Sequence, residues 1–258
     1  MITSNQNPKI RLARALFGRA RERREAGAFV VEGVRLVEEA VRATWPTRFV
    51  LFDTSLSERG RVLIEKLISQ GVDVEEVSAS VMQALSETET PQGILAVLNE
   101  FDLPIPDSLN FILIPDQIRD PGNLGTLLRS AVATEVQAVI IPPETTDAFA
   151  PKVLRSGMGA HFKLPIHSMN WNQIEDFVKS ASLQVLIADM DGQSCWVTDL
   201  KEPIALVIGN EADGAGESAR KVAAGKLNIP MSGNVESLNA GVAGSVLMFE
   251  VVRQRSRG

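Results

Sequence analysis

The 258-residue chain has one cysteine, two histidines and no tyrosine, and each scarcity removes a class of function. A lone Cys195 permits no internal disulfide. His161 and His167 lie six residues apart, which fits no helical zinc pair, and no other segment clusters metal ligands. No metal is therefore expected. With aromatics at 5%, extensive stacking on nucleic-acid bases is disfavoured. No apolar run approaches a membrane span, and the first residues lack the apolar core of a signal peptide. A soluble protein of the reducing cytoplasm, with no membrane partner, is the expectation. The net charge of −6 lacks the basic excess of a nonspecific polyanion binder, although local patches count for more than the total.

What is present is a chain 45% hydrophobic and 22% charged, long enough for one large domain or two modest ones. One basic patch stands out: Lys9, Arg11, Arg14, Arg19, Arg21, Arg23 and Arg24 against the single acid Glu22. A solvated helix face and a nucleic-acid contact both explain it.

Residues 9–25 read as a helix, with Ile10, Leu12, Ala13, Leu16 and Phe17 among the arginines. Apolar β-type runs then alternate with helical patterns: strands at 28–33, 48–52, 72–77 and 93–98, helices at 33–43, 57–69 and 78–85. The stretch 101–109, with two prolines among polar residues, reads as a linker. A second series follows, with strands at 111–116, 138–141, 162–166, 183–188 and 204–209. Its helices fall after Pro121, at 151–158, at 171–180, and from about Val235 onward. All-apolar strands suit a sheet covered by helices on both faces. The reading is two α/β domains, 1–105 and 106–258.

Three loops of the second series carry the unusual residues, each after a predicted strand, where ligands of open α/β sheets gather. In 116–131, Pro121 and Gly122 break the chain, Asn123 can cap a helix, Gly125 permits close backbone approach, and Arg129 follows. In 208–216, Gly209, Gly214 and Gly216 flank Glu211 and Asp213. This loop lacks the Lys and Ser/Thr of a P-loop and fails the GxGxxG spacing. Its acids suit sugar hydroxyls or a cationic ligand, while a plain glycine turn explains the glycines equally. In 229–250, Asn234, Glu236, Ser237 and Asn239 crowd a helix start, followed by Ala240, Gly241, Ala243, Gly244 and Ser245. Glycine inside a helix costs roughly 1 kcal/mol against alanine, tolerable where close packing demands it. Capping alone does not account for so many polar side chains among apolar neighbours. A site does.

Asn123-x-Gly125-Thr126-x-x-Arg129, Ile208-Gly209-Asn210-Glu211, and Ile229-Pro230-Met231 through Glu236-Ser237-Leu238-Asn239 together resemble the three ordered motifs of the SpoU/TrmH branch of SPOUT RNA methyltransferases. Residues 29–40 and 85–97 are similar to the L30e-like substrate-binding domain often attached to it. The resemblance implies an α/β catalytic domain with a deep C-terminal trefoil knot, an exception to the rule against knotted chains. It implies S-adenosylmethionine as cofactor, a homodimer with sites near the subunit interface, and methylation of a ribose 2′-hydroxyl in ribosomal or transfer RNA. By motif, Gly209, Ile229 and Leu238 would contact the cofactor, and Asn123, Arg129, Glu211, Ser237 and Asn239 would line the reaction site.

The family's equivalent of Arg129 has been assigned as the base. A guanidinium with a pKa above about 12 stays protonated, so Arg129 is expected to act as a cation on the developing alkoxide and the adjacent phosphate. Asn123 and Asn239 would orient the hydroxyl and Arg129, with Ser237 and Glu211 holding the loops. Lys9, Arg11, Arg14, Arg19 and Arg21 are the candidate RNA contacts. The N-terminal domain points to ribosomal RNA, because transfer-RNA members of the branch often carry short helical extensions instead. A noncatalytic RNA-binding protein and an enzyme acting on a small nucleotide or other metabolite are the competing classes.

Overall fold

A computed structural model describes residues 1–88, 90–233 and 237–256. The chain forms two compact units, Met1–Phe101 with Phe149–Phe162, and Asp102–Ala148 with Lys163–Gly258.

The first unit begins with α1 (Pro8–Phe17) and α2 (Ala20–Ala26), and continues through β1 (Ala28–Glu32), α3 (Val34–Arg42), β2 (Thr47–Phe52), α4 (Glu58–Ser69), β3 (Val74–Glu76), α5 (Ala79–Leu85) and β4 (Ile94–Asn99). Its sheet has the order β1-β4-β2-β3, with β4 antiparallel to β1 and β2, and β2 parallel to β3. Side chains alternate across a strand, so Ala28, Val30, Leu95 and Val97 join Ile10, Leu16 and Phe17 of α1 and Val81 and Met82 of α5 in one core.

Where one helix was expected over 9–25, the structure has two. Gly18 ends α1, and the buried Arg23 donates from Nη1 to Leu16 O at 2.7 Å and Gly18 O at 3.2 Å. That guanidinium satisfies carbonyls that a helix terminus leaves open.

The second unit holds β5 (Phe111–Pro115), α6 (Pro121–Ala133) and β6 (Ala138–Ile141). The chain then passes through α7 (Pro151–Gly157) and a short 3-10 turn, Ala160–Phe162, before β7 (Ile166–Ser168), α8 (Trp171–Ser180), β8 (Gln184–Ser194), β9 (Ile204–Ile208), α9 (Glu217–Val222), β10 (Gly225–Asn228) and α10 (Ala240–Arg255). The segment Phe149–Phe162, which the sequence reading leaves in the second domain, packs in the first unit. There Phe149 stacks on Phe29 with ring centroids 4.8 Å apart, and Phe162 meets Trp45 edge-on at 5.2 Å. The strand expected at 162–166 begins later, at Ile166, because Ala160–Phe162 form a 3-10 turn that belongs to the first unit.

The second sheet has the order β10-β8-β9-β5-β6-β7, every pair parallel. Ile112, Ile114, Ala205 and Val207 pack on Ile174 and Val178 of α8 and Ala219 of α9. Helices α6 and α10 pack on each other, with α6 against β5 and α10 against β9. The small residues of α10 are what permit this. A Cβ on Gly244 would collide with the Leu127 side chain, and one on Gly241 would lie 3.2 Å from Thr126 Cβ. Ser130 Oγ and Ser245 Oγ bridge the two helices at 2.7 Å.

The last helix starts at Ala240 rather than near Val235. Asn239 caps it, its side chain accepting from Val242 N. Val235, with Asn234 and Glu236, lies outside the described residues.

Lys9, one of the expected RNA contacts, is tied inside the first unit. It bridges Asp73 and Glu75 and lies over the Phe49 ring. Burial alone would lower its pKa, but the two carboxylates outweigh it and hold the ammonium above its ordinary value. A Lys9→Ala variant should lose up to about 1 kcal/mol of stability, read as a lower urea midpoint. A variant as stable as wild type would return Lys9 to the solvated surface.

Candidate active site

The second sheet reverses its direction of growth between β5 and β9. From β5 the chain moves outward to β6 and β7, then returns on the other side through β8, β9 and β10. Ligands of parallel α/β sheets bind beyond the carboxyl ends of strands at such a switch point, and the loops after β5, β9 and β10 meet there.

The loop after β9 is folded tightly on itself. Asn210 and Gly214 exchange two backbone hydrogen bonds of 3.1 Å. The Asn210 side chain accepts from Ala212 N and Asp213 N, both at 2.8 Å. Gly214 has φ +69°, and a Cβ on Gly209 would collide with the backbone of Gly214 and Ala215. Only glycine fits at Gly209. Beyond the turn, Gly216 N donates to Asp116 Oδ2 at 2.7 Å, fastening this loop to the end of β5.

Asp116 is fully buried, and its Oδ1 has no hydrogen-bond partner among the described residues. Burial raises its pKa; the Gly216 N–H partly offsets the rise and Glu144 adds to it.

Three side chains from three segments converge on one another. Glu211 Oε1 accepts from Asn123 Nδ2 at 2.6 Å, from Asn239 Nδ2 at 2.8 Å and from Ala240 N at 3.3 Å. Asn239 Nδ2 also donates to Asn123 Oδ1 at 2.8 Å. Asn123 is in turn placed by Asp120, whose side chain caps α6 at Asn123 N.

Around this cluster lie two cavities that share the wall Asn210, Glu211, Ala212, Asp213 and Ala240. The larger, about 290 Å³, is largely apolar, with Ile208, Leu227, Ile229, Leu238 and Leu247 beside Gly209 and Ser237. The smaller, about 220 Å³, is more polar than the first and adds Ile118, Arg119, Asp120 and Asn123. Gly209, Ile229 and Leu238, named from the sequence, thus face one cavity, and Ser237 lies on its exposed side.

Arg129 stands apart. It is exposed on α6, lines neither cavity, and makes no hydrogen bond or ion pair with the described residues. Arg11, Arg14, Arg19 and Arg21 are exposed in the first unit. Of these, Arg14 donates to Asn5 and Arg21 pairs with Glu25.

Sequence reasoning missed Asp116, Asp189 and Arg220 as parts of the site. Arg220 donates to Ala215 O at 2.9 Å and to Asp189 Oδ2 at 3.0 Å, and Lys226 reaches the same oxygen at 2.9 Å. Burial acts to raise the Asp189 pKa, but Lys226, the Asp191 N–H and Arg220 overcome it and hold the carboxylate below its ordinary value. The one signal for Asp116 was a carboxylate closing an otherwise apolar strand. Cys195 is buried, and burial pushes its thiol up to about 11, so it supplies no thiolate nucleophile. Among the described residues no group of three or more His, Cys, Asp or Glu is placed to hold a metal.

A parallel α/β unit with a glycine-constrained, apolar pocket at its switch point is a cofactor-dependent enzyme domain in form. The SpoU rRNA Methylase family model matches residues 110–249 and the MRM3-like substrate binding domain model matches residues 7–96. The 23S rRNA (guanosine(2553)-2'-O)-methyltransferase RlmP of Bacillus subtilis is 33% identical over 97% of this chain and 98% of its own length. The 23S rRNA (guanosine-2'-O-)-methyltransferase RlmB of Shewanella oneidensis is 31% identical over 88% and 97%. The crystal structure of the SpoU methyltransferase AviRb from Streptomyces viridochromogenes in complex with AdoMet superposes with a TM-score of 0.87 at 29% identity, over 98% of this chain and all of that one. The chain belongs to the SpoU rRNA methylase family.

The buried acid gives a pH test. Asp116 holds its proton more tightly folded than unfolded, so its contribution to stability falls as pH rises from the ordinary carboxylate range through its raised value. Asp116→Asn stays neutral throughout and can still accept from Gly216 N. Its Tm relative to wild type should therefore rise as pH climbs above the ordinary carboxylate range, about pH 4, measured by thermal melts across pH. A difference independent of pH would mean Asp116 does not titrate in that range.

Proposed function

We propose that this protein transfers the methyl group of S-adenosylmethionine to the 2′-hydroxyl of one ribose in 23S-type ribosomal RNA. The observation that carries the reading is the pair of cavities sharing the Asn210–Asp213 wall, one largely apolar and one more polar, with the Asn123–Glu211–Asn239 cluster beside them. The family, the ribosomal RNA targets named for RlmP and RlmB, and the cofactor bound to AviRb support it.

The donor set of the larger cavity fits the cofactor. Ile208, Ile229, Leu238 and Leu247 offer apolar surface for an adenine, and the bare backbone at Gly209 allows close approach. Glu211 and Asp213 suit a sulfonium and an ammonium. When bound, the cofactor supplies an electrophilic methyl group.

The protein's own residues do the rest. Asn123 and Asn239 orient the attacking hydroxyl, and Glu211 fixes both amides. Holding the reacting atoms in line supplies much of the rate. Arg129 stabilises the developing alkoxide and clamps the neighbouring phosphate. With the hydroxyl held in line for the methyl group, its proton would pass to that phosphate or to water. Ser237 and Leu238, which line the larger cavity, would help hold the cofactor there.

Arg129, exposed and outside both cavities, acts on the site of a second subunit in a homodimer. A deep trefoil knot near the C-terminus of the second unit belongs to this reading. The exposed Val242 and Phe249 of α10 supply apolar surface for the dimer. The protein works in the cytoplasm, where ribosomal RNA is available.

Labelled cofactor should methylate in vitro transcribed 23S ribosomal RNA at a single 2′-hydroxyl, mapped by resistance to alkaline cleavage. Arg129→Ala should lower kcat by roughly a hundredfold or more with unchanged cofactor affinity, and turnover near wild type would remove Arg129 from catalysis.

Gly209→Ala should abolish cofactor binding in isothermal titration. Co-assembled with Arg129→Ala subunits, it should restore about a quarter of wild-type activity, because half of randomly paired dimers would each carry one complete site. No restoration would place Arg129 and the cofactor on the same subunit.

A further inference from the structure

We propose that the first unit grips an RNA backbone phosphate in a pocket between α3, α4 and the segment before β4, separate from the arginines of α1 and α2. The inference rests on RNA being the substrate.

The pocket is a cavity of about 260 Å³ lined by Val34, Arg35, Ser55, Ser57, Arg59 and Gln92. None of the six is acidic, and two are arginines. Its walls are fixed by contacts among three segments distant in sequence. Gly93 has φ +70°, and a Cβ there would lie 2.7 Å from both Asp53 Oδ1 and Ser55 Oγ, so 91–93 presses on the turn after β2. The buried Asp53 holds that turn, accepting from Ser55 N at 2.8 Å and Ser55 Oγ at 2.6 Å. Gln92 Oε1 accepts from Val34 N at 3.0 Å, tying the same segment to the start of α3.

The donors left over suit an oxyanion. Arg35 is exposed and, although it feels the charge of Glu38, makes no hydrogen bond or ion pair with the described residues. Arg59 gives Nε and Nη2 to Glu38, which fixes its plane and leaves Nη1 without a hydrogen bond to the described residues. The Gln92 amide nitrogen likewise makes no hydrogen bond to them. Val34 opens the nine-residue α3, and Ser57 caps the twelve-residue α4, so the positive ends of two helices add to the guanidinium charge.

Along α1 and α2 the balance differs. Lys9 bridges two carboxylates, Arg21 pairs with Glu25, and Arg23 is buried on backbone carbonyls. A phosphate contact of this kind fixes register without reading sequence.

The test uses the full-length protein and in vitro transcribed 23S ribosomal RNA, with affinity measured over a salt series. Arg35→Ala should weaken binding by roughly tenfold and reduce the log–log salt slope by about 0.7 to 0.9, the loss of one phosphate contact. It should raise KM for RNA far more than it lowers kcat, with the wild-type Tm and cofactor affinity. Arg61→Ala, the same charge change on α4 outside the cavity, should keep the wild-type slope.

Equal effects of the two variants would mean diffuse electrostatics and would overturn the pocket. So would wild-type binding by Arg35→Ala, while methylation of the RNA by the wild-type protein leaves the activity standing. If the wild-type protein neither binds nor methylates the RNA, the activity and the pocket fall together.

Discussion

One carboxylate oxygen sits where three parts of the second unit must agree. Glu211 Oε1 takes hydrogen bonds from the first turn of α6, from the residue capping α10 and from the first backbone N–H of α10. Those donors lie 88, 28 and 29 residues away along the chain. A carboxylate accepts at several lone pairs and donates nothing, so this one oxygen can take all three donors at once. The tight turn at Gly209 puts Glu211 in reach, and the tie from Asp116 to Gly216 keeps that turn on the end of β5. Both cavities take their common wall from this arrangement, so a loose turn would open them together.

The parts of the fold legible in the sequence were those that burial alone decides. Runs such as Phe111–Pro115 and Ile204–Ile208 are apolar throughout because helices cover both faces of a parallel sheet. Elements decided by a particular hydrogen bond were harder. The division of α1 from α2 depends on Arg23 reaching back to Leu16 and Gly18, and a stretch of arginines gives no hint of which one turns inward. The short α9 and the polar strand β10 went unread because neither shows a full apolar period. The start of α10 was read too early, since several polar residues before it can cap and the sequence does not say that Asn239 is the one at the helix start.

The site divided in the same way. Gly209, Ile229 and Leu238 were named from their motifs and do share a cavity. The mutual bonding of Asn123, Glu211 and Asn239 could not be read, because spacing along the chain says nothing of which loops meet. Arg220 and Asp189 were invisible for a related reason. Their importance lies in a tertiary ion pair that also engages Lys226, and each residue alone resembles any surface charge. The converse held for the basic N-terminal segment, where an impressive count of cations concealed how many are already committed to partners within the first unit.

The return of Phe149–Phe162 to the first unit bears on how such proteins can be rearranged. The substrate-binding match ends at residue 96, yet Phe29 and Trp45 complete their packing only with Phe149 and Phe162, supplied from within the stretch matched by the methylase family. A recombination joint placed in the proline-containing linker would separate these rings and strip an apolar face from the first unit. The two units are therefore not interchangeable cassettes. Exchange of the first unit of this chain would have to carry both crossings, which ties it to a segment inside the stretch matched by the methylase family.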